Sequence, residues 1–350
     1  MAQIDSLFIK RITKISENYS SYVQIQNKLF ALTDSGRVVI WDLKKLDTIN
    51  FPHNSSNVKY VAIEKDQNNN VFLATKDGNI IKLNPSNLSY SLYLKVKYSI
   101  NGIFINPDNK IYLIAGGAIY DPVSKKYWNQ FENHTKGLIT VSRKRFLFFS
   151  HKRKPVTKYF ATPQYTFVDS KGKFWMTAVY GEFGGEVEVF DSRSDTIVNN
   201  KFGNVYPGDL SPRSVFEDGS GNIYITCGLQ HFMNFGEIYR IDNKRNIIKI
   251  FDGEVKPADK IFVGPGAFNK VDNKIYFFSS GGLFKANAGE NPIKPELVFN
   301  TALSWKREPM AIGVGMSVSK LDFTMDNRLL FLSKNDGFGI YDGKSITFLK

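Results

Sequence analysis

Four histidines, one cysteine and a scatter of carboxylates are the groups on this 350-residue chain that could support covalent or metal chemistry. His53, His134, His151 and His231 stand far apart, and none opens a metal-ligand spacing. Cys227 is the only cysteine, which excludes an intrachain disulfide and a cysteine-cluster metal site. It lies in IYITCG, which reads as a buried strand, where a thiol acts as a small packed side chain rather than a nucleophile. There is no Gly-x-Ser-x-Gly elbow and no phosphate-cradling glycine loop. Asp209, Glu217, Asp259 and Glu308 could act as ligands only if the fold gathered them. The sequence therefore assigns no catalytic residue and no metal ligand, and it calls for no cofactor.

Charge points instead to binding. The formal net charge is +13. Lys136–Lys173 holds ten lysines and arginines against one acid, Asp169, so +9 of the total falls in 38 residues. Lys152, Arg153 and Lys154 form its densest run. Such a segment can attract an acidic polymer, anionic lipid or an acidic protein surface. It can equally be a solvated edge that discourages pairing with other chains. No nucleic-acid-binding motif accompanies it, so nucleic acid is not the expected partner.

The elements that must position these groups repeat. A tight turn, a run of β-formers, a second turn and a strand ending in Asp or Asn recur seven times. Clear copies are NKLFALTDSGRVVIWD (Asn27–Asp42), NNVFLATKDGNIIKLN (Asn69–Asn84) and SGNIYITCGLQHFMNFGEIYRID (Ser220–Asp242). Each copy is flanked by one further strand on either side. Four short antiparallel strands joined by turns make one propeller blade, and a unit of this size cannot bury its own faces without stacked neighbours. The fold expected is an all-β, single β-propeller domain over residues 1–350. Counting hairpins gives eight blades, with a truncated one at 137–160; the alternative is seven blades with that segment as an insertion. The N-terminal SLFIKRITKI is expected to add a strand to the last blade, since closure removes open sheet edges.

The repeats resemble the two-component-regulator type of propeller repeat: an Asp, a Gly-Asn turn, an aliphatic–aromatic strand and a closing Asp. Asp169, Gly172, Trp175 and Asp191 fit it, as do Asp218, Gly221, Asn222, Tyr224 and Asp242. The phrase PRSVFEDGSGNIYITCG is also similar to NHL and gluconolactonase-type repeats. The resemblance implies the fold. A gluconolactonase-like activity would in addition require Glu, Asn and Asp ligands converging on the central channel. Trp41–Asp42 matches the dipeptide of WD40 repeats, but the other copies lack it.

An antiparallel blade places its second-to-third turn and its link to the next blade on one face, and its other two turns on the opposite face. The first-to-second turns here (DQNNN, PDNK, DSKG, DGSG, VDNK, MDNR) are all minimal. The long segments SHKRKP, VYGEFGG and GLQHFMNFGE, and the long blade-to-blade connectors, fall on the other side. Binding residues concentrate on long loops held by a rigid scaffold. The candidates are Tyr180, Phe183, His231, Phe232, Phe235, Trp305 and Arg307, beside Lys152, Arg153 and Lys154. The function expected is a non-catalytic binding or scaffold propeller that recognises a macromolecule, most simply a protein, through this face. Two alternatives stand: a metal-dependent hydrolase or lyase at the channel, and an extracytoplasmic sensor or glycan-binding propeller.

No apolar stretch reaches the length of a membrane helix. MAQIDSLFIK carries no basic leader followed by an apolar run, which predicts a cytoplasmic chain. If Met1 instead precedes a mature N-terminus, AQIDS predicts a periplasmic or secreted one.

Overall fold

The computed structural model describes residues 7–51, 58–115, 118–128, 163–179, 184–198, 211–230, 234–253, 262–279, 281–300 and 318–350. Among these every regular element is a β-strand, and no helix is long and apolar enough to cross a membrane. The chain opens with β1 (Phe8–Ile12). Blade 1 is β2 (Tyr19–Ile25), β3 (Lys28–Thr33), β4 (Val38–Asp42) and β5 (Asp47–Ile49). Blade 2 is β6 (Tyr60–Lys65), β7 (Val71–Thr75), β8 (Asn79–Leu83) and β9 (Tyr90–Lys95). Blade 3 is β10 (Ile100–Ile105), β11 (Ile111–Ala115), β12 (Ala118–Tyr120) and β13 (Tyr127–Trp128). Blade 4 is β14 (Tyr165–Val168), β15 (Lys173–Val179), β16 (Gly185–Asp191) and β17 (Thr196–Val198). Blade 5 is β18 (Pro212–Glu217), β19 (Ile223–Gln230), β20 (Asn234–Ile241) and β21 (Ile247–Asp252). Blade 6 is β22 (Val263–Asn269), β23 (Lys274–Ser279), β24 (Gly282–Asn287) and β25 (Glu296–Phe299). Blade 7 is β26 (Val318–Phe323), β27 (Leu329–Ser333), β28 (Gly337–Tyr341) and β29 (Ser345–Leu349).

Seven apolar clusters fill the seams between consecutive blades. Phe30 meets Leu73 across seam 1–2, Phe72 and Leu113 share seam 2–3, and Phe104 stacks on Phe174 at 4.9 Å in seam 3–4. Val189 and Ile225 fill seam 4–5, Tyr224 and Phe277 seam 5–6, and Phe278 and Phe331 seam 6–7. Trp41 and Phe338 occupy the seam between blades 7 and 1, which completes the circle. Each such side chain stabilises by roughly 1.5–3 kcal/mol when fully buried, so the core is a ring of seams. Of the two counts the sequence allowed, seven holds and eight does not. Segment 137–160 falls in the connection between blades 3 and 4 and lies outside the described residues.

The ring is clasped as the N-terminal sequence predicted. β1 runs parallel to β29 as a fifth, outermost strand of blade 7, from Phe8 opposite Ser345 to Ile12 opposite Leu349. The Lys350 N–H donates to Ile12 O at 2.9 Å, and the Lys14 N–H donates to Lys350 O.

The repeated phrase has a local explanation. Asp218 Oδ1 accepts the N–H groups of Ser220 (2.8 Å) and Asn222 (2.9 Å), and its Oδ2 accepts the Asn222 amide and the Tyr224 hydroxyl. Asp169 serves Lys171, Lys173 and the Trp175 indole in the same way. The last turn residue takes a positive φ, as Asn69 (61°), Asn109 (63°), Gly172 (78°), Gly221 (79°), Asn273 (56°) and Asn327 (62°) do; Asn and Gly tolerate that region best. The motif that carried the family resemblance is therefore a turn staple, and its carboxylates are committed to the backbone.

Candidate functional site

The two faces of the disc are built differently. On the face of the first-to-second and third-to-fourth turns, the longest connection is 288–295, between β24 and β25. The strand ends on the other face are joined through 129–164, 199–211, 253–262 and 300–317, most of which lies outside the described residues.

Two further features mark the same face. Six of the seven innermost strands carry a register shift close to their first residue: between Tyr19 and Ser21, Tyr60 and Ala62, Ile100 and Gly102, Pro212 and Ser214, Val263 and Gly266, and Val318 and Lys320. A bulge leaves a partner carbonyl short of its ladder bond and re-aims the local side chain. Ser20 Oγ donates to Leu32 O, Ser319 Oγ to Leu332 O, and Arg213 Nε to Gly228 O at 2.6 Å. The second feature is a pair of extended hairpins. The segment GLQHFMNFGE, expected as a long loop, is mostly strand: Gly228 pairs with Gly236, Leu229 with Phe235 and Gln230 with Asn234. Val179 likewise pairs with Gly185 in blade 4. The sequence places Gly228 and Gly236 at the ends of a long loop. Gly228 is instead a close-approach site, because a Cβ there would lie 1.9 Å from Val263 O.

A partly buried polar network roots the blade 5 hairpin. The Tyr239 hydroxyl donates to Glu237, and Lys249 Nζ reaches Glu237 Oε1 at 2.9 Å and Asp252 Oδ2 at 2.6 Å. The bond to Asp252 is the main cause that holds the Lys249 ammonium above its ordinary value. Cys227, opposite Glu237 in the ladder, is fully buried, and burial pushes its thiol upward. It is an inert packed side chain.

The channel wall carries a second charged set. Lys320 of blade 7 and Lys65 of blade 2 converge on the inner edge of β2, donating to Tyr22 O (3.4 Å) and Gln24 O (2.8 Å). The Lys320 ammonium also lies 4.3 Å from the Tyr22 ring centroid, a cation–π contact. Burial raises the nearby Glu64 carboxyl against the pull of Lys320 and Lys65. These residues tie three blades together around the hole.

Of the four carboxylates that could act as ligands, only Glu217 lies among the described residues. Glu217 accepts the Ser170 N–H at 2.8 Å and the Ser170 hydroxyl at 2.6 Å, bracing the adjoining turn of blade 4. Asp209, Asp259 and Glu308 lie outside the described residues. Among the described residues no three His, Cys, Asp or Glu side chains stand together as a metal site. Of the binding candidates, Phe235 is placed by its backbone in β20. Lys152, Arg153, Lys154, Tyr180, Phe183, His231, Phe232, Trp305 and Arg307 lie outside the described residues. Sequence reasoning missed Glu64, Lys65 and Lys320, whose contacts join blades distant along the chain.

No family model matches the chain, and no curated protein matches it in sequence. Solved structures do resemble it. Virginiamycin B lyase from Staphylococcus aureus superposes with a TM-score of 0.55 at 11% identity, over 93% of this chain and 94% of that one. YCF48 bound to D1 peptide gives 0.57 at 10% identity, over 93% and 94%. Kuenenia stuttgartiensis hydrazine synthase gives 0.53 at 13% identity, over 100% and 99%. At this level of identity the likeness establishes a propeller fold and nothing of chemistry.

Proposed function

We propose that this chain is a non-catalytic recognition propeller that binds a protein partner through the face bearing its long connections. The observation that carries the reading is the division of labour between faces. One face is closed by stapled turns, while the bulges, two extended hairpins and the strand ends joined by every long blade-to-blade segment lie on the other. Rigid scaffolds with elaborated loops on one side are suited to recognition. The propeller YCF48, in its complex with D1 peptide, offers a precedent for the fold in such a role. In this reading Tyr180, Phe183, His231, Phe232, Phe235, Trp305 and Arg307 supply anchors, since aromatic and arginine side chains dominate interface energetics. Lys152, Arg153 and Lys154 steer an acidic surface toward them.

The test compares the faces directly. A photo-crosslinking side chain is placed at Phe183 or Phe232, and in a second protein at Val271, an exposed residue of a stapled turn. Each is irradiated in extract of the source cells. A discrete adduct from the first two positions and none from Val271 supports the reading. Adducts from Val271 alone, or turnover of a small molecule by the purified protein, overturn it.

A further inference from the structure

The outer edges of the blades are protected in different ways. A sheet edge is a template for another strand, and natural proteins blunt it by shortening, bulging or covering it. β5, β13, β17 and β25 run only two to four residues. β29 is covered by β1. Beside β21, the Ile293 N–H donates to Ile250 O at 2.9 Å, so the 288–295 connection lies along that edge. β9 is the exception. It runs six residues, Tyr90–Lys95, and five of the six are exposed. It pairs with β8 on one side and with no described strand on the other.

The exposed surface is apolar. Leu92 is 58% exposed and Tyr93 51%. Tyr93 is the extra residue of a bulge, since Ile80 pairs with Leu94 and Ile81 with Leu92. Its ring sits edge-on to Phe72 at 5.2 Å, on the side of blade 3. There Tyr98, itself partly exposed, meets Tyr120 at 5.2 Å. The edge is also basic. Lys82, Lys95 and Lys97 lie on or next to it, with Asp77, whose carboxyl the Thr75 side chain and Lys95 help to lower, beside them.

We propose that the outer edge of blade 2 is a peptide-docking site, where β9 takes up an extended acidic segment of a protein partner as a fifth strand. Main-chain hydrogen bonds would supply affinity, and apolar side chains on the two faces of the incoming strand would rest on Leu92 and on Tyr93 respectively. Lys82, Lys95 and Lys97 select carboxylates on the incoming strand. Blade 7 provides the precedent within this fold, because its edge already holds an added five-residue strand. A second copy of the chain fits less well. Tyr90, Leu92 and Tyr93 together offer roughly 300 Å² of apolar surface per copy. A stable interface buries about 1,200–2,000 Å² in total, and two basic edges would face each other. The proposal is independent of the reading of the long-connection face.

The test uses the full chain and a fluorescein-labelled peptide of alternating glutamate and valine. Two controls accompany it: lysine in place of glutamate, and N-methylation at every second residue. Saturable binding is expected, weakened about tenfold or more by either control and by the double variant Leu92→Glu/Lys95→Glu. Amide hydrogens of residues 90–95 should gain protection from exchange when the acidic peptide binds. Equal binding of the N-methylated peptide, or protection elsewhere with β9 unchanged, overturns the proposal. So does a dimer in sedimentation that the double variant dissolves, which would give the edge to a second copy. Both substituted residues are exposed, so the variant should melt with the parent chain. If it does not, the peptide controls and hydrogen exchange on the unmodified protein decide.

Discussion

Lys110 places its ammonium 2.9 Å from Oδ2 of Asp121, a carboxylate with 1% of its side chain exposed. The pair sits where blade 3 meets blade 4. Tyr112 extends it by donating to Ser192 O at 3.1 Å and to Asp195 Oδ1 at 3.2 Å. Seam 3–4 is thus held by polar contacts as well as by Phe104 and Phe174, on the face of the stapled turns.

Asp121→Asn should therefore destabilise the protein at neutral pH by about 1–3 kcal/mol, the cost of weakening a buried charged hydrogen-bond acceptor. Burial alone would raise this carboxyl, but hydrogen bonds from Ser124, Lys110 and the backbone outweigh it and hold it below its ordinary value of 3.8. Its contribution is complete above that value and disappears as pH falls through the lower folded-state value. Thermal melts of the two proteins should differ at pH 7 and converge in acid. A constant gap across the range would show that charge at Asp121 is not what matters.

Glu64 should behave oppositely. Burial, the largest influence, raises its carboxyl above the ordinary 4.5 despite Lys320 and Lys65. The folded state then holds its proton more tightly than the unfolded chain, so stability falls as pH climbs from about 4.5 through the higher folded value. Glu64→Gln is expected to melt above the parent at pH 7, with the advantage gone below pH 4.5. A lower melting point at pH 7 would mean that the carboxylate's contacts with the two lysines outweigh its desolvation.

Gly228→Ala tests the close approach beneath the blade 5 hairpin. The new methyl would meet Val263 O at 1.9 Å, and backbone cannot swing aside as a side chain can. A loss of about 1–3 kcal/mol or more is expected from this overpacking, measured by denaturant unfolding. A neutral result would show that β19 and β22 are further apart than described.

Cys227 offers a probe of global opening. The thiol is 0% exposed and burial pushes it upward, while the thiolate is the reactive form. Alkylation by iodoacetamide at neutral pH should be undetectable in the folded protein and should appear along the denaturant unfolding curve. Rapid labelling of the native protein would contradict the packing of blade 5.

Much of the ring was legible because its turns are chemically specific. Asp66, Asn106, Asp169 and Asp218 recur at the head of the first turn because each accepts that turn's backbone N–H groups, and that recurrence announces a blade. Periodicity could not weigh residues 228–237 correctly. Gly228 and Gly236 signal a turn by composition, yet here the lack of a side chain lets two strands come close. The blade count was ambiguous for a related reason: 137–160 has strand-like runs, while closure depends on Tyr19 finding Phe338 across almost the whole chain. The channel lysines were invisible because their acceptors are backbone carbonyls of β2, which no side-chain pattern records. The edge at Tyr90–Lys95 is, in sequence, only one of the flanking strands, since sequence does not say which strand has a neighbour.

The pairing of Phe8–Ile12 with Ser345–Leu349 also governs how the protein comes to be. A contact between such distant positions carries a heavy loop-closure cost and tends to form late. Until it forms, blade 7 has a bare outer strand and seam 7–1 an open apolar wall. The nascent wheel is thus most adhesive at its final step, and its yield should depend on how quickly the two ends find each other.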